Sequence, residues 1–479
     1  MPERLLWIPP ALRDGFPHLA AFFPDFTVLP EGAPCPDGAM IAGEGQAVFH
    51  EGPWAAPRFN DVKRAVGLVV PGLPAPTHYA DEALDAEQCA ALPYSRFADP
   101  FRETPASLVD ALALLALWRG IVAENRQIGA FLHMQPWKRD ALARAFGHDS
   151  GHAPFAETPA AALAQSNGAV LAWAAKLSAE TESKARVPVW RVEDGFIRSV
   201  GLGVNFTPAG SLSVDPIGMH YDSTRPSRLE RILAEHEFPP PLLDRAAALR
   251  AAILRQNVTK YNVGGASEAL PISDGRQRIL VVGQVENDAS IKFGAGRIRT
   301  NLGLLRAVRE TAPNAFIIWK PHPDVQTGYR PGYVPSRQAA RWADLVLTQG
   351  DIGPIFSEID ALHTMTSLAG FEALLRGISV TCWGRPFYAG WGLTTDMEVV
   401  ERRQRRLTLD ELVAGSLILY PRYQDPVTGL PCPPEVLLER LTDPAAWADA
   451  QPRSLAYLQW WKLQGMILRG LRHIGLVSR

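Results

Sequence analysis

The chain is 479 residues long, with 47% hydrophobic and 20% charged residues. That is ample core material for a globular protein of two or three domains, since single cores rarely grow past about 250–300 residues. With 48 basic against 50 acidic residues the net charge is −2, which argues against a globally basic nucleic-acid binder, and no nucleic-acid partner is expected.

Four cysteines, Cys35, Cys89, Cys382 and Cys432, are scattered without a CxxC or Cys/His cluster. Neither a zinc site nor a disulfide framework is therefore expected, and a reduced cytoplasmic compartment is the natural home. The opening MPERLLWIPPALRDG lacks a long apolar run and is broken by prolines, unlike a signal peptide. The longest apolar stretch, 108–118, carries Asp110 and is too short to span a bilayer.

Residues 1–105 are rich in proline and glycine. Leu5–Ile8 and Leu68–Val70 are expected strands there, but no chemistry-bearing motif is present and the region's role is unassigned. Residues 107–146 read as helical (SLVDALALLALWRGIVAENRQIGAFL, then PWKRDALARAF), and Pro159–Lys176 as an alanine-rich helix. Val187–Val192 is a short buried strand leading into Glu193-Asp194-Gly195. Ser227–Glu237 is a helix with Ser227 and Glu230 at capping-box spacing, and Leu242–Gln256 is another. The polar stretch 257–277 reads as an interdomain linker. Strands then alternate with helices: Arg278–Gly283, helix Asn301–Thr311, Ala315–Lys320, a helical or extended Arg341–Leu347, Ile359–His363, helix Thr366–Arg376 and strand Ser379–Trp383. This alternation predicts an α/β protein with parallel sheets. The expected arrangement is two Rossmann-like domains facing a cleft, 106–265 and 266–440. The region 1–105 precedes them and a tail, 441–479, follows.

Ligands of open α/β sheets sit at the carboxyl ends of strands, and four polar clusters fall at such ends. Glu193-Asp194-Gly195 offers two carboxylates for acid/base or nucleophilic work, with Arg198 to hold an anion. A solvated turn is the plainer alternative. Gly283-Gln284-Val285-Glu286-Asn287-Asp288 carries further carboxylates without a GxGxxG fingerprint, and turn chemistry explains Asn287-Asp288 about as well as catalysis. In Lys320-Pro321-His322-Pro323 a histidine is clamped between prolines, fit to meet a phosphate or simply to build a loop. His363-Thr364-Met365-Thr366-Ser367 runs from a strand into a helix, whose N-terminus suits a phosphate. Thr366 or Ser367 also suits a helix cap, and Glu372 lies within reach of a ribose diol. The segment 384–394 is aromatic and glycine-rich, and suits a packed loop somewhat better than a sugar-stacking wall.

Several long blocks, in order, resemble the KpsC/LipB capsular polysaccharide family. They are EDGFIRSVGLG (193–203), DPIGMHYDSTRPSRLE (215–230), GQVENDASI (283–291), KPHPDV (320–325), HTMTSLAGFEALLRG (363–377), GRPFYAGWGLTTD (384–396) and LTLDELVAGSLILYPRYQDPVTG (407–429). The resemblance implies a GT-B-like fold and a β-Kdo glycosyltransferase that uses CMP-β-Kdo as donor. The implied acceptor is a phospholipid-linked or Kdo-terminated glycan at the inner face of the inner membrane. Well-known members carry two transferase modules and this chain carries one, so a single Kdo or one linkage type is expected. A β-configured donor giving a β-linked product implies net retention through two inversions. Asp288 is then the first choice of nucleophile, Asp194 the second, and Glu193 or Asp194 the base for the acceptor. Gln284, Lys320, His322, Thr366 and Ser367 would face the donor and its phosphate, Glu372 the ribose, and Arg198 the Kdo carboxylate. No metal and no cofactor beyond the donor substrate is implied. Two alternatives stand beside this reading. One is a transferase of another CMP-sugar, of sialyltransferase type. The other is a non-catalytic scaffold of the capsule assembly complex, against which the three retained carboxylates count.

The last thirty residues, 450–479, hold Arg453, Lys462, Arg469, Arg472 and Arg479 and no acidic residue, with Tyr457, Trp460 and Trp461 among them. That pattern reads either as a helix on an anionic membrane surface or as one packed back on the protein.

Overall fold

A computed structural model describes residues 5–7, 18–22, 27–30, 32–33, 40–41, 97–102, 104–106, 108–148, 151–199, 208–259, 270–271, 275–326 and 330–447. The expected strand at Leu68–Val70 and the basic tail lie outside these residues. The Leu5–Ile8 expectation is met by a strand at Leu5–Trp7, which pairs in parallel with Thr27–Val28 and Met40–Ile41. Among the described residues no helix is long and apolar enough to cross a membrane.

The chain divides into two compact units. The first takes the described parts of Met1–Trp173, Leu177–Val189 and Arg422–Asp449. The second takes Ala174–Lys176 and the described parts of Trp190–Pro421. The described residues of 190–259, which the sequence reading placed in the first Rossmann-like domain, lie in the second unit.

In the first unit the helix expected to run through residue 132 stops at Asn125, and Ile128–Leu132 is a strand with all five residues buried. The Pro159–Lys176 helix likewise ends at Gln165, and Ala169–Trp173 is a second fully buried strand. Apolar runs buried on both faces have no alternating polarity, so periodicity cannot separate them from helix. Ser166-Asn167-Gly168 makes the break, and an added Cβ at Gly168 would overlap the Gln127 carbonyl. Ile128–Leu132 pairs in parallel with both Ala169–Trp173 and Phe155–Ala156, and Ala130, Leu132, Ala156, Ala162, Val170 and Ala172 form the core against it.

The second unit holds a six-stranded, all-parallel sheet. Its spatial order is Leu345–Val346, Phe316–Lys320, Arg278–Val282, Ala361–Thr364, Ser379–Cys382, Thr395–Asp396. Numbered along the chain this is 3-2-1-4-5-6, the Rossmann order, with its switch point between the first and fourth strands. Val281, Ile317, Trp319, Leu304, Leu305 and Val308 fill the core on one face. Val189–Asp194 pairs antiparallel with Ser211–Asp215, which sets Glu193 opposite Ser213 and Asp194 opposite Leu212.

The helix Arg228–Glu235 starts as expected, with Ser227 Oγ accepting the Glu230 N–H at 3.0 Å. The reciprocal half of the capping box is replaced, because the Glu230 carboxylate turns to Arg402 and Arg403 at 2.7 and 3.1 Å.

At the end of the fourth strand, burial lowers the His363 imidazole from 6.5 to about 4. Its Nδ1 accepts the Trp383 indole N–H at 3.3 Å. Since the folded value lies below the unfolded one, stability is full above about pH 6.5 and is lost as pH falls toward 4. The loss by pH 4.5 should be about 2–3 kcal/mol. Urea denaturation at pH 7 and pH 4.5 should reveal it, and His363→Gln should flatten that difference.

Candidate active site

A cavity of about 730 Å³ lies within the second unit, over the switch point of the six-stranded sheet. Nine of the ten residues singled out on the sequence line it: Glu193, Asp194, Gln284, Asp288, Lys320, His322, Thr366, Ser367 and Glu372. They come from four segments of chain, and the parallel topology brings the ends of three strands, at Val282, Lys320 and Thr364, to one rim.

The switch point is stitched by Gln284. Its Oε1 accepts the Thr366 N–H at 2.8 Å, and its Nε2 donates to Thr366 Oγ1 at 2.9 Å. The amide thus fixes the loop after the first strand to the turn after the fourth. Ser367 caps the Leu368–Leu375 helix, accepting the Ala369 N–H at 3.2 Å. This helix end, with its partial positive charge, faces the cavity and suits a single phosphate. Glu372, one turn further along, is buried but lines the same space.

His322 Nδ1 accepts the Asp324 N–H at 3.1 Å. In the neutral ring this leaves the proton on Nε2, which makes that nitrogen a donor. Lys320 Nζ is steadied by the Gln349 and Gly350 carbonyls at 3.1 and 2.8 Å. Together they bring positive charge and N–H groups to the side where a phosphate would lie.

The carboxylates stand in different settings. Asp288 caps the short helix Ala289–Gly294, its Oδ1 accepting Ser290 N–H and Oγ–H at 2.9 and 2.7 Å. Glu193 Oε1 accepts the Ala175 N–H at 2.8 Å. Asp194 is ion-paired through Oδ2 with Arg198 Nε at 2.8 Å.

That pair corrects one expectation. Arg198 is only 2% exposed and does not line the cavity. Its guanidinium is turned to Asp194 and Ser199 Oγ, so it orients a carboxylate of the protein and is not placed to receive one from a sugar.

Several lining residues carried no assignment on the sequence. Tyr221 lies in the quoted 215–230 block, on a turn pinned by Asp215 and Asp222. Burial, with Glu193, Asp288 and Asp222 nearby, pushes its phenol well up, so it stays a hydrogen-bond donor. Phe196 stacks on Phe387 with centroids 4.4 Å apart, and both line the cavity. The 384–394 segment is thus partly both things proposed for it: Tyr388 and Trp391 are fully buried, while Pro386 and Phe387 form wall. Arg330 had no motif to flag it.

Gly370 makes the helix end possible. An added Cβ there would overlap the Tyr388 hydroxyl, which donates to the Ser367 carbonyl. Gly370→Ala should therefore cost about 1–3 kcal/mol of stability, measurable by urea denaturation.

A family described as "Capsule polysaccharide biosynthesis protein" matches residues 169–269 and 242–423. The chain belongs to this capsule polysaccharide biosynthesis family. The match spans both sides of the cavity, and the KpsC/LipB-type resemblance read in the sequence blocks is borne out. Among relatives, the capsule polysaccharide modification protein LipA of Neisseria meningitidis serogroup A is 43% identical over 347 residues, covering 71% of this chain and 49% of LipA. The chain thus spans about half the length of LipA. The lipopolysaccharide-processing protein LpsZ of Rhizobium meliloti is 39% identical, over 63% of this chain and 71% of LpsZ. Two solved structures are similar. The beta Kdo 2,7 transferase of Thermosulfurimonas dismutans KpsC is 37% identical with a TM-score of 0.56, over 66% of this chain and 99% of its own. The beta Kdo 2,4 transferase of the same KpsC is 33% identical with a TM-score of 0.57, over 65% and 98%. The capsule-family chain described here shares their mixed α/β, GT-B-like fold, as the strand–helix alternation predicted.

Proposed function

We propose that this protein is a retaining β-Kdo glycosyltransferase that takes Kdo from CMP-β-Kdo and adds it to a lipid or glycan acceptor in capsule biosynthesis. The observation that carries the reading is one cavity lined by a phosphate-suited helix end, a fixed imidazole donor and the carboxylates of Glu193, Asp194 and Asp288, in a chain that matches nearly the whole length of two Kdo transferases.

In the proposed chemistry an Asp288 carboxylate oxygen attacks the anomeric carbon as the C–O bond to phosphate breaks, and CMP leaves with the electron pair. His322, Lys320 and the helix end stabilise the phosphate charge. An acceptor hydroxyl then gives its proton to a base and attacks the same carbon, releasing Asp288 as carboxylate. Glu193 suits the base better than Asp194. The Asp194 carboxylate is already engaged by the buried Arg198 guanidinium at 2.8 Å. Two inversions return the β configuration.

The protein should consume CMP-Kdo with Kdo-terminated or lipid-linked acceptors and yield a β-linked product by NMR. Turnover of CMP-sialic acid in its place would replace the donor assignment, and an α-linked product would sink retention. The proposed site of action is the cytoplasmic face of the inner membrane. The composition of 450–479 supports this, and removing residues 454–479 should release the protein from anionic liposomes.

A further inference from the structure

Kdo is an ulosonic acid, so its carboxylate is borne on the anomeric carbon itself. Whatever holds that carboxylate must therefore stand next to the group that attacks the anomeric carbon. The need is acute in this cavity. Glu193, Asp194, Asp288, Asp324, Asp351 and Glu372 all line it, and a second carboxylate brought against Asp288 is repelled unless a cation lies between.

Arg198, the residue first expected to meet the sugar carboxylate, is buried against Asp194. Lys320 is held by the carbonyls of Gln349 and Gly350, on the histidine and phosphate side. Among the described lining residues there is one arginine, Arg330. It is exposed, and its Nη2 donates to Asn287 Oδ1 at 3.4 Å. Asn287 is the chain neighbour of Asp288, and Arg330 and Asp288 line the same cavity. A long bond to a neutral amide is readily exchanged for a bidentate bond to a carboxylate.

We infer that Arg330 is the specificity-determining residue that binds the anomeric carboxylate of the donor sugar, and so selects ulosonic-acid donors over neutral sugars. The inference rests on the Kdo-transferase reading of the same cavity. Arg330 neutralises the carboxylate while Asp288 approaches, so its loss acts on the sugar end of the donor and spares the nucleotide end.

The test uses the full chain with Arg330→Ala and Arg330→Lys. Affinity for CMP, which carries no sugar carboxylate, should stay within about twofold of wild type. That result also reports that each variant is folded. With CMP-Kdo, kcat/KM should fall about 10–100-fold in Arg330→Ala, the range expected for a lost charged hydrogen bond. Arg330→Lys should fall between the two, keeping charge without the fork. Wild-type turnover that survives Arg330→Ala unchanged overturns the inference and leaves the transferase reading standing. A parallel loss of CMP affinity also overturns it, because Arg330 is then a phosphate ligand. If wild type neither binds nor turns over CMP-Kdo, the transferase reading fails and the inference falls with it.

Discussion

Replacing Asp288 with alanine should abolish Kdo transfer while CMP still binds. Loss of the nucleophile in a double displacement removes the intermediate altogether, and a fall in kcat of at least about 10³-fold is expected. Nucleotide binding should survive because the groups proposed to hold it, the Ser367 helix end and His322, lie on other segments of the chain. One complication is structural. Asp288 also caps Ala289–Gly294 through its bonds to Ser290, so alanine should cost about 1 kcal/mol of stability as well. Asparagine separates the two roles: it keeps an acceptor oxygen for the cap and cannot form the ester. Asp288→Asn should therefore melt like wild type and be as inactive as Asp288→Ala. Intact-mass measurement of wild type with donor and no acceptor should find the protein heavier by one Kdo, an adduct absent from both variants. If Asp288→Asn keeps substantial turnover, the nucleophile is elsewhere, and Asp194 becomes the residue to test.

Much of this site was legible in the chain because its parts sit at strand ends. A buried β-branched run such as RILVV (278–282) announces itself, and polar residues immediately after it fall where parallel topology collects ligands. Gln284, Lys320 and the Thr366-Ser367 turn follow that rule. What sequence could not supply was the partner of each charge. Arg198 and Asp194 lie four residues apart in a turn, and only the fold reveals that they satisfy one another. Arg330 sits in a stretch with no periodic pattern, and its place beside Asn287 depends on a contact across 43 residues. The strands Ile128–Leu132 and Ala169–Trp173 failed for a different reason. Their burial on both faces erases the alternation that marks a strand.

The largest stability effect should come from Glu230, a residue the sequence presented only as half of a capping box. Its carboxylate lies between Arg402 and Arg403. The two arginines differ in burial, with side-chain exposures of 37% and 3%, and that difference decides the outcome. Arg403 also donates to the carbonyls of Pro386 and Ala389 at 2.5 and 2.7 Å, anchoring the segment that supplies Phe387 to the cavity wall. Burial already pulls the Arg403 guanidinium below its ordinary range, and Glu230 is the main group opposing that. Without Glu230 a buried charge is left uncompensated, at a cost of about 3–5 kcal/mol. Arg402→Ala should cost only about 0–1 kcal/mol, because that half of the network is open to solvent. Glu230→Ala should thus lose several times the stability of Arg402→Ala in urea denaturation. It should also weaken CMP binding by loosening 386–389, although Glu230 touches no part of the cavity. Exchanging the buried pair together, Glu230→Leu with Arg403→Met, should recover much of the stability, since the cost arises from an orphaned charge more than from a lost attraction. Equal losses in Glu230→Ala and Arg402→Ala would mean that water reaches Arg403 and that the network is a surface one.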